Sequence, residues 1–108
     1  MPMVHEFGIM LTDPKSGEQY IDYEPQKYNC ITVHDEIVEC FGDAVLKDLP
    51  CYWCTMDRPE KGLAYCGITL IPPASLPTLL EASSSCADLQ QLITRAMNEN
   101  RFVIHFGL

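Results

Sequence analysis

Leu49-Pro50-Cys51-Tyr52-Trp53-Cys54-Thr55-Met56 sets a C-x-x-C pair inside an aromatic, apolar run. Zinc knuckles and redox dithiols use that spacing where the backbone makes a tight turn or opens a helix. Here the run stops at Asp57-Arg58-Pro59-Glu60-Lys61-Gly62, and a second apolar run extends from Leu63 to Ile71. Two such runs joined by a short polar segment with Pro and Gly read as a β-hairpin. Successive strand side chains point to opposite faces. Cys51 then shares a face with Trp53 and Thr55, while Cys54 shares the other with Tyr52 and Met56. Thiols so placed neither grip one metal ion nor close a relaxed disulfide, so no metal site or cofactor is expected at this pair. Cys66, on the partner strand, faces one of them at most. The trio Cys51, Cys54 and Cys66 with a nearby histidine is the route left to a small thiol or metal enzyme.

Upstream of the hairpin, Glu6 to Thr12 reads as a first strand, ended by the turn residues Asp13-Pro14-Lys15-Ser16-Gly17. Tyr20 to Tyr23 pairs back as a second strand, and Pro25 breaks it. Tyr28 to Val33 is a β-branched and apolar third strand. From Asp35 to Leu49 the period changes to helical: Ile37, Phe41, Ala44, Val45 and Leu49 fall within one arc, and Glu36, Glu39 and Asp43 lie opposite. His34 or Asp35 supplies the start of this helix and Pro50 its stop, with Gly42 weakening its middle.

Downstream, Ser75 caps a short helix through Glu81. Ser85 and Asp88 make a capping signal ahead of the stripe Leu89, Leu92, Ile93, Ala96 and Met97. Phe102 to Phe106 is a terminal strand. These elements predict a single α+β domain over residues 1–108. It is a two-layer sandwich of a mixed, mostly antiparallel sheet of five to six strands, with two or three helices on one face. The connection from the Leu63–Ile71 strand to the terminal strand is long enough for a crossover that would leave the two parallel.

The chain has 108 residues, a formal charge of −8 and only seven Lys and Arg, scattered along its length. That balance argues against nucleic acid and against anionic membrane surfaces, both of which need clustered cations. No apolar run reaches the roughly 18–20 residues of a membrane span, and the start Met1-Pro2-Met3-Val4-His5-Glu6 lacks the pattern of a signal peptide. Six cysteines are too few for a disulfide scaffold. The expectation is a cytoplasmic protein with reduced thiols that behave as small hydrophobes.

His105 alternates out of phase with Phe102, Ile104 and Phe106 and is expected on the opposite face, towards a cleft or solvent. The Met1-Pro2 start and the chain length resemble the tautomerase superfamily, whose N-terminal proline serves as general base. That resemblance implies keto–enol chemistry at Pro2, although the strand order expected here departs from the strand-then-helix opening of that family. Between Asp22 and Asp48 there are seven acidic residues and two lysines. Glu36, Glu39 and Asp43, with Asp35 at the end of the stripe, form the candidate protein-binding surface. The expected function is a non-enzymatic interaction module, of the inhibitor or adaptor kind, for a basic protein partner. If the strand Phe102–Phe106 lies at a sheet edge, it offers a route to a homodimer.

Overall fold

Six stretches of extended backbone pair into one antiparallel sheet in the computed structural model, which describes residues 3–107. They are β1 (Val4–Ile9), β2 (Ile31–His34), β3 (Pro50–Trp53), β4 (Pro59–Lys61), β5 (Ile68–Ile71) and β6 (Val103–Phe106), in the order β2-β1-β6-β5-β3-β4. Four α-helices accompany them among the described residues: α1 (Asp35–Glu39), α2 (Asp43–Leu46), α3 (Leu76–Ala82) and α4 (Ala87–Glu99). The α+β class and the one-sided helix layer are as the sequence predicts. Pro2 lies outside the described residues.

Strand alternation sorts the core into two layers. Phe7, Ile9, Val33, Ile71 and Val103 point to one face, where Val38, Val45, Leu76, Leu79, Leu89, Leu92, Ile93 and Ala96 of the helices cover them. Met10, Ile68, Leu70, Ile104 and Phe106 point to the other face. No α-helix among the described residues covers that second face. It is overlaid instead by a strap, residues 11–30, through Tyr20, Tyr28 and Cys30. The strap is tied down at several points. Asp57 accepts hydrogen bonds from the Ser16 hydroxyl and, at 2.7 Å, from the Gly17 amide. The Tyr20 amide donates to the Cys54 carbonyl at 2.6 Å.

Several sequence expectations change for identifiable reasons. Tyr20–Tyr23 is not a strand: its aromatic residues serve the strap, and Pro25 opens a 3-10 turn over Pro25–Tyr28. The expected helix from Asp35 to Leu49 splits into α1 and α2 because Gly42 sits at φ +81°, outside the helical region. β3 ends at Trp53, where Cys54 turns left-handed at φ 63°. The polar segment after it contributes β4, which pairs with one edge of β3 while β5 takes the other. β5 and β6 are antiparallel, with Ile71 opposite Val103. α3 and α4 make an out-and-back helical hairpin, so the chain re-enters the sheet at the end it left. β6 lies between β1 and β5 and both its edges are bonded, which removes the edge-pairing route to a dimer through Phe102–Phe106. α4 starts from Cys86 rather than from a Ser85 cap. No helix among the described residues is long and apolar enough to cross a membrane.

The strap sits close because β1 offers no side chain at Gly8. A Cβ there would lie 2.7 Å from the Cys30 sulfur and from the Tyr28 Cβ, and 2.9 Å from the Tyr28 carbonyl oxygen. Gly8→Ala is therefore expected to cost about 1–3 kcal/mol by overpacking. Gly67→Ala, whose Cβ would meet only Ala64 at 3.5 Å, is expected to cost much less. Urea unfolding of the two variants measures the difference, and equal losses would refute the close approach.

Candidate functional site

Alternation along β1, β6 and β5 carries three polar side chains into the helix-covered layer: His5, His105 and Thr69, all fully buried. Phe7 opposes His105 on β1 and β6, and His105 opposes Thr69 on β6 and β5. His105 does lie on the face opposite Phe106, as alternation predicts, but that face is core rather than cleft or solvent. Its Nε2 is 2.8 Å from His5 Nδ1, and its Nδ1 is 3.2 Å from the Thr69 hydroxyl. His5 Nε2 reaches Asp35 Oδ1 at 2.9 Å. The Tyr65 hydroxyl donates to that same carboxylate oxygen, and the Ala64 amide donates to Thr69 Oγ1 at 2.8 Å.

The proton positions follow from the ends of this chain. A carboxylate only accepts and an amide N–H only donates. With both imidazoles neutral, Thr69 donates to His105, His105 to His5, and His5 to Asp35, so the run is satisfied throughout. No buried side-chain nitrogen or oxygen among the described residues lacks a partner. Burial, helped by the charge His5 can carry, pushes His105 down to about 3. Hydrogen bonds from Tyr65 and then from His5 hold the Asp35 carboxyl below its ordinary range. Burial first, and then Asp35, push the Tyr65 phenol up.

Local sequence explains why Asp35 is available. His34 caps α1 by accepting the Glu36 amide on Nδ1 at 3.2 Å, which leaves the Asp35 carboxylate free to turn inward. Asp35 is only 8% exposed. It therefore leaves the acidic stripe to which its helical position assigns it. Glu36 and Glu39 are exposed on α1, as expected, and Asp43 is exposed on α2, 3.7 Å from the Lys47 ammonium. The break at Gly42 separates the first two from the third.

The cysteines diverge as the hairpin reading requires, though the backbone is extended only as far as Trp53. Cys51 is buried on the helix side and donates to the Gly62 carbonyl at 3.0 Å. Cys54 packs in the strap-side layer and Cys66 is exposed. All six thiols are free. Burial pushes Cys51 up to about 11 and Cys30 up to about 12, which keeps both as unreactive thiols. No group of three or more His, Cys, Asp and Glu among the described residues is arranged to hold a metal.

An open cleft of about 640 Å³ lies at one end of the strap-covered face. Met3, Ile21, Tyr23, Ile68 and Phe106 give it apolar walls, and Cys54 and Cys66 also line it. Glu6, next to His5 but on the opposite face of β1, is the one charged side chain among the described lining residues. Its carboxylate accepts from the Tyr23 hydroxyl, and burial raises its pKa above the ordinary carboxyl value. Comparison with protein-family models, with curated proteins and with solved structures finds no match.

Sequence reasoning missed His5, Thr69 and Tyr65, and it missed the pairing of Glu6 with Tyr23. A signal for His5 was present: two residues before Phe7 and four before Ile9, it must share their face. Nothing local marks its partners, because His105 lies one hundred residues away and Asp35 thirty.

Two outcomes test these assignments. In the unfolded chain His105 takes up a proton near pH 6.5, but in the core only near about 3. Between those values the unfolded state binds the extra proton, so stability falls as pH drops through the window and levels off below it, by roughly 4–5 kcal/mol in full. Asp35 adds in the same direction at the acid end: its contribution is present above the ordinary carboxyl value and lost as pH falls through the depressed one. Urea midpoints taken from about pH 7 to about pH 4 should decline in the wild type and flatten in His105→Gln; parallel profiles would contradict the neutral buried imidazole. Second, iodoacetamide near neutral pH should label Cys40 and Cys66, which are exposed, and reach Cys30 and Cys51 only on unfolding. Rapid labelling of Cys51 in the native protein would overturn its assignment as core.

Proposed function

We propose that this domain is a non-enzymatic interaction module that binds a basic protein partner. The observation that carries the reading is a coincidence of charge and apolar surface at one end of the sheet. Among the described residues, three of the four large apolar side chains left exposed, Met3, Ile21 and Tyr23, converge on this cleft, and such convergence marks contact surfaces. The Asp35 amide donates to the Met3 carbonyl at 3.0 Å, so α1 starts against a wall of that cleft and carries the exposed Glu36 and Glu39 with it. Asp43 follows on α2. Apolar contact supplies affinity at such a surface, and the carboxylates supply attraction and orientation.

The thiol or metal alternative finds little support. A catalytic imidazole or thiol must reach a substrate, whereas both strand histidines are fully buried and neither lines the cleft. Of the three hairpin cysteines, Cys51 is held protonated, and Cys54 and Cys66 line the cleft with no imidazole among its described lining residues to activate them.

An alternating arginine–leucine peptide serves as the probe, with its affinity read by calorimetry at low and high salt. Binding is expected to weaken with salt and to fall about tenfold in Glu36→Lys with Glu39→Lys, while the urea midpoint stays unchanged. The equal charge change placed on the other helices, Glu81→Lys with Asp88→Lys, should cost far less. Equal losses from the two pairs would reduce the effect to net charge and end the proposal.

A further inference from the structure

Resting on the basic-partner reading above, the geometry points to the cleft between the strap and the sheet as the pocket for an arginine side chain of the partner polypeptide. Its guanidinium would meet Glu6, and its aliphatic stem would lie along Ile21, Ile68 and the rings of Tyr23 and Phe106.

Of anionic, apolar and cationic ligands, a cation alone suits these walls. An anion would approach Glu6, the one charged side chain among the described lining residues, with Asp22 and Glu24 exposed on either side of Tyr23; like charges repel it. A wholly apolar group would fit Met3, Ile21 and Phe106 but would take the Glu6 carboxylate out of water with only the Tyr23 hydroxyl as partner, which is costly for a charge. A cation satisfies both walls and carboxylate. A carboxylate offers about four acceptor positions over two oxygens, so the bond from Tyr23 leaves room for two further N–H donors. Guanidinium presents those donors as a planar fork and stacks on aromatic faces, whereas an ammonium is a compact, strongly hydrated point charge. The Tyr23 and Phe106 rings are nearly perpendicular, 5.5 Å between centroids, and Tyr23 is 65% exposed, which leaves aromatic surface available to a planar cation. Burial of Glu6 works in the same direction, because a partly desolvated carboxylate gains more from a counter-charge than one in bulk water.

Amide chemical-shift titrations of the labelled protein provide the test, run at about 0.15 M salt so that charges more than about 8 Å apart are largely screened. The probes are N-acetyl-arginine methylamide, the norleucine analogue with a similar stem and no charge, and acetyl-Leu-Arg-Leu-methylamide. The arginine compounds should give saturable shifts centred on Ile21, Tyr23, Gly67 and Gly107. The peptide should bind about tenfold tighter than the capped amino acid, as expected if the arginine arrives on a chain. Glu6→Gln, whose amide oxygen can still accept from Tyr23, should weaken both at least tenfold and leave the urea midpoint near the wild-type value. Equal binding of norleucine, an unchanged affinity in Glu6→Gln, or the absence of saturable shifts would each overturn the proposal. A capped arginine that binds as tightly as the peptide would assign the pocket to a small free cation and overturn the polypeptide source. The capped arginine reports on the pocket through Glu6→Gln, whereas the alternating peptide reports on the helix surface through Glu36→Lys with Glu39→Lys, so a failure of the helix surface is distinguishable from a failure of the pocket.

Discussion

Two imidazoles held away from water are tolerable only if every nitrogen finds a partner, because an unpaired polar group in such a place costs more than a paired one contributes. His5 and His105 meet that condition by standing between the Asp35 carboxylate and the Thr69 hydroxyl, which the Ala64 amide completes. The members come from β1, α1, β6, β5 and the loop before β5. Each can take its place only if its element is in the observed register: a slip of one residue on any of the three strands would turn a polar side chain to the opposite face. The apolar layer around them, from Phe7 to Val103, would accept several arrangements of similar volume. The polar run accepts far fewer, and in that sense it specifies the sheet.

The two faces of that sheet are finished differently, and the difference leaves an open cleft on one of them. On the helix side, four helices close over Phe7, Ile71 and Val103, with the imidazole run buried in the same layer. On the other side, a strap with little regular structure covers Ile104 and Leu70 and lays the Tyr23 and Tyr28 rings against Phe106, leaving a cleft at the end where β1 and β5 begin and β6 stops. A strap without a hydrogen-bonded ladder of its own must be anchored from outside. Asp57 does this by accepting from Ser16 and Gly17, and those bonds hold its carboxyl below the ordinary range. Where the anchors end, Ile21 and Tyr23 remain exposed beside Glu6.

What the sequence conveys and what it withholds divide along contact range. The stripe Leu89, Leu92, Ile93 and Ala96 is buried on α4 as its period predicts, and the opposite facing of Cys51 and Cys54 follows from strand alternation. Gly42 was legible as a weak point in the helix, and it became the break. The aromatic composition of Tyr20–Tyr23 indicated a strand because such residues favour any half-buried extended backbone; a strap that packs rings on a sheet satisfies the same preference without a ladder. The sense of β6 depended on whether one helix or two intervened in effect, a matter of α3 packing against α4. Asp35 was assigned to the surface because helical periodicity counts the neighbours of a residue on its own helix. It says nothing of a histidine thirty residues earlier beneath it. The same limit hid the pairing of Glu6 with Tyr23.

His5 and Glu6 are consecutive, and their opposite fates on β1 link stability to binding. β1 is bonded on both sides, to β2 and to β6, and the bond from His5 to His105 adds a side-chain tie across one of those pairs. A backbone so constrained places the Glu6 carboxylate on the other face with little freedom, and the Tyr23 hydroxyl restricts its rotamers further. Association normally costs the ordering of side chains at the contact, on the order of 0.5–1.5 kcal/mol for each flexible one. A carboxylate already ordered by folding avoids much of that cost, whereas Glu36 and Glu39, exposed on a short helix, do not. On the proposed reading, the buried imidazoles contribute to recognition without touching a ligand: they hold still the strand from which Glu6 projects.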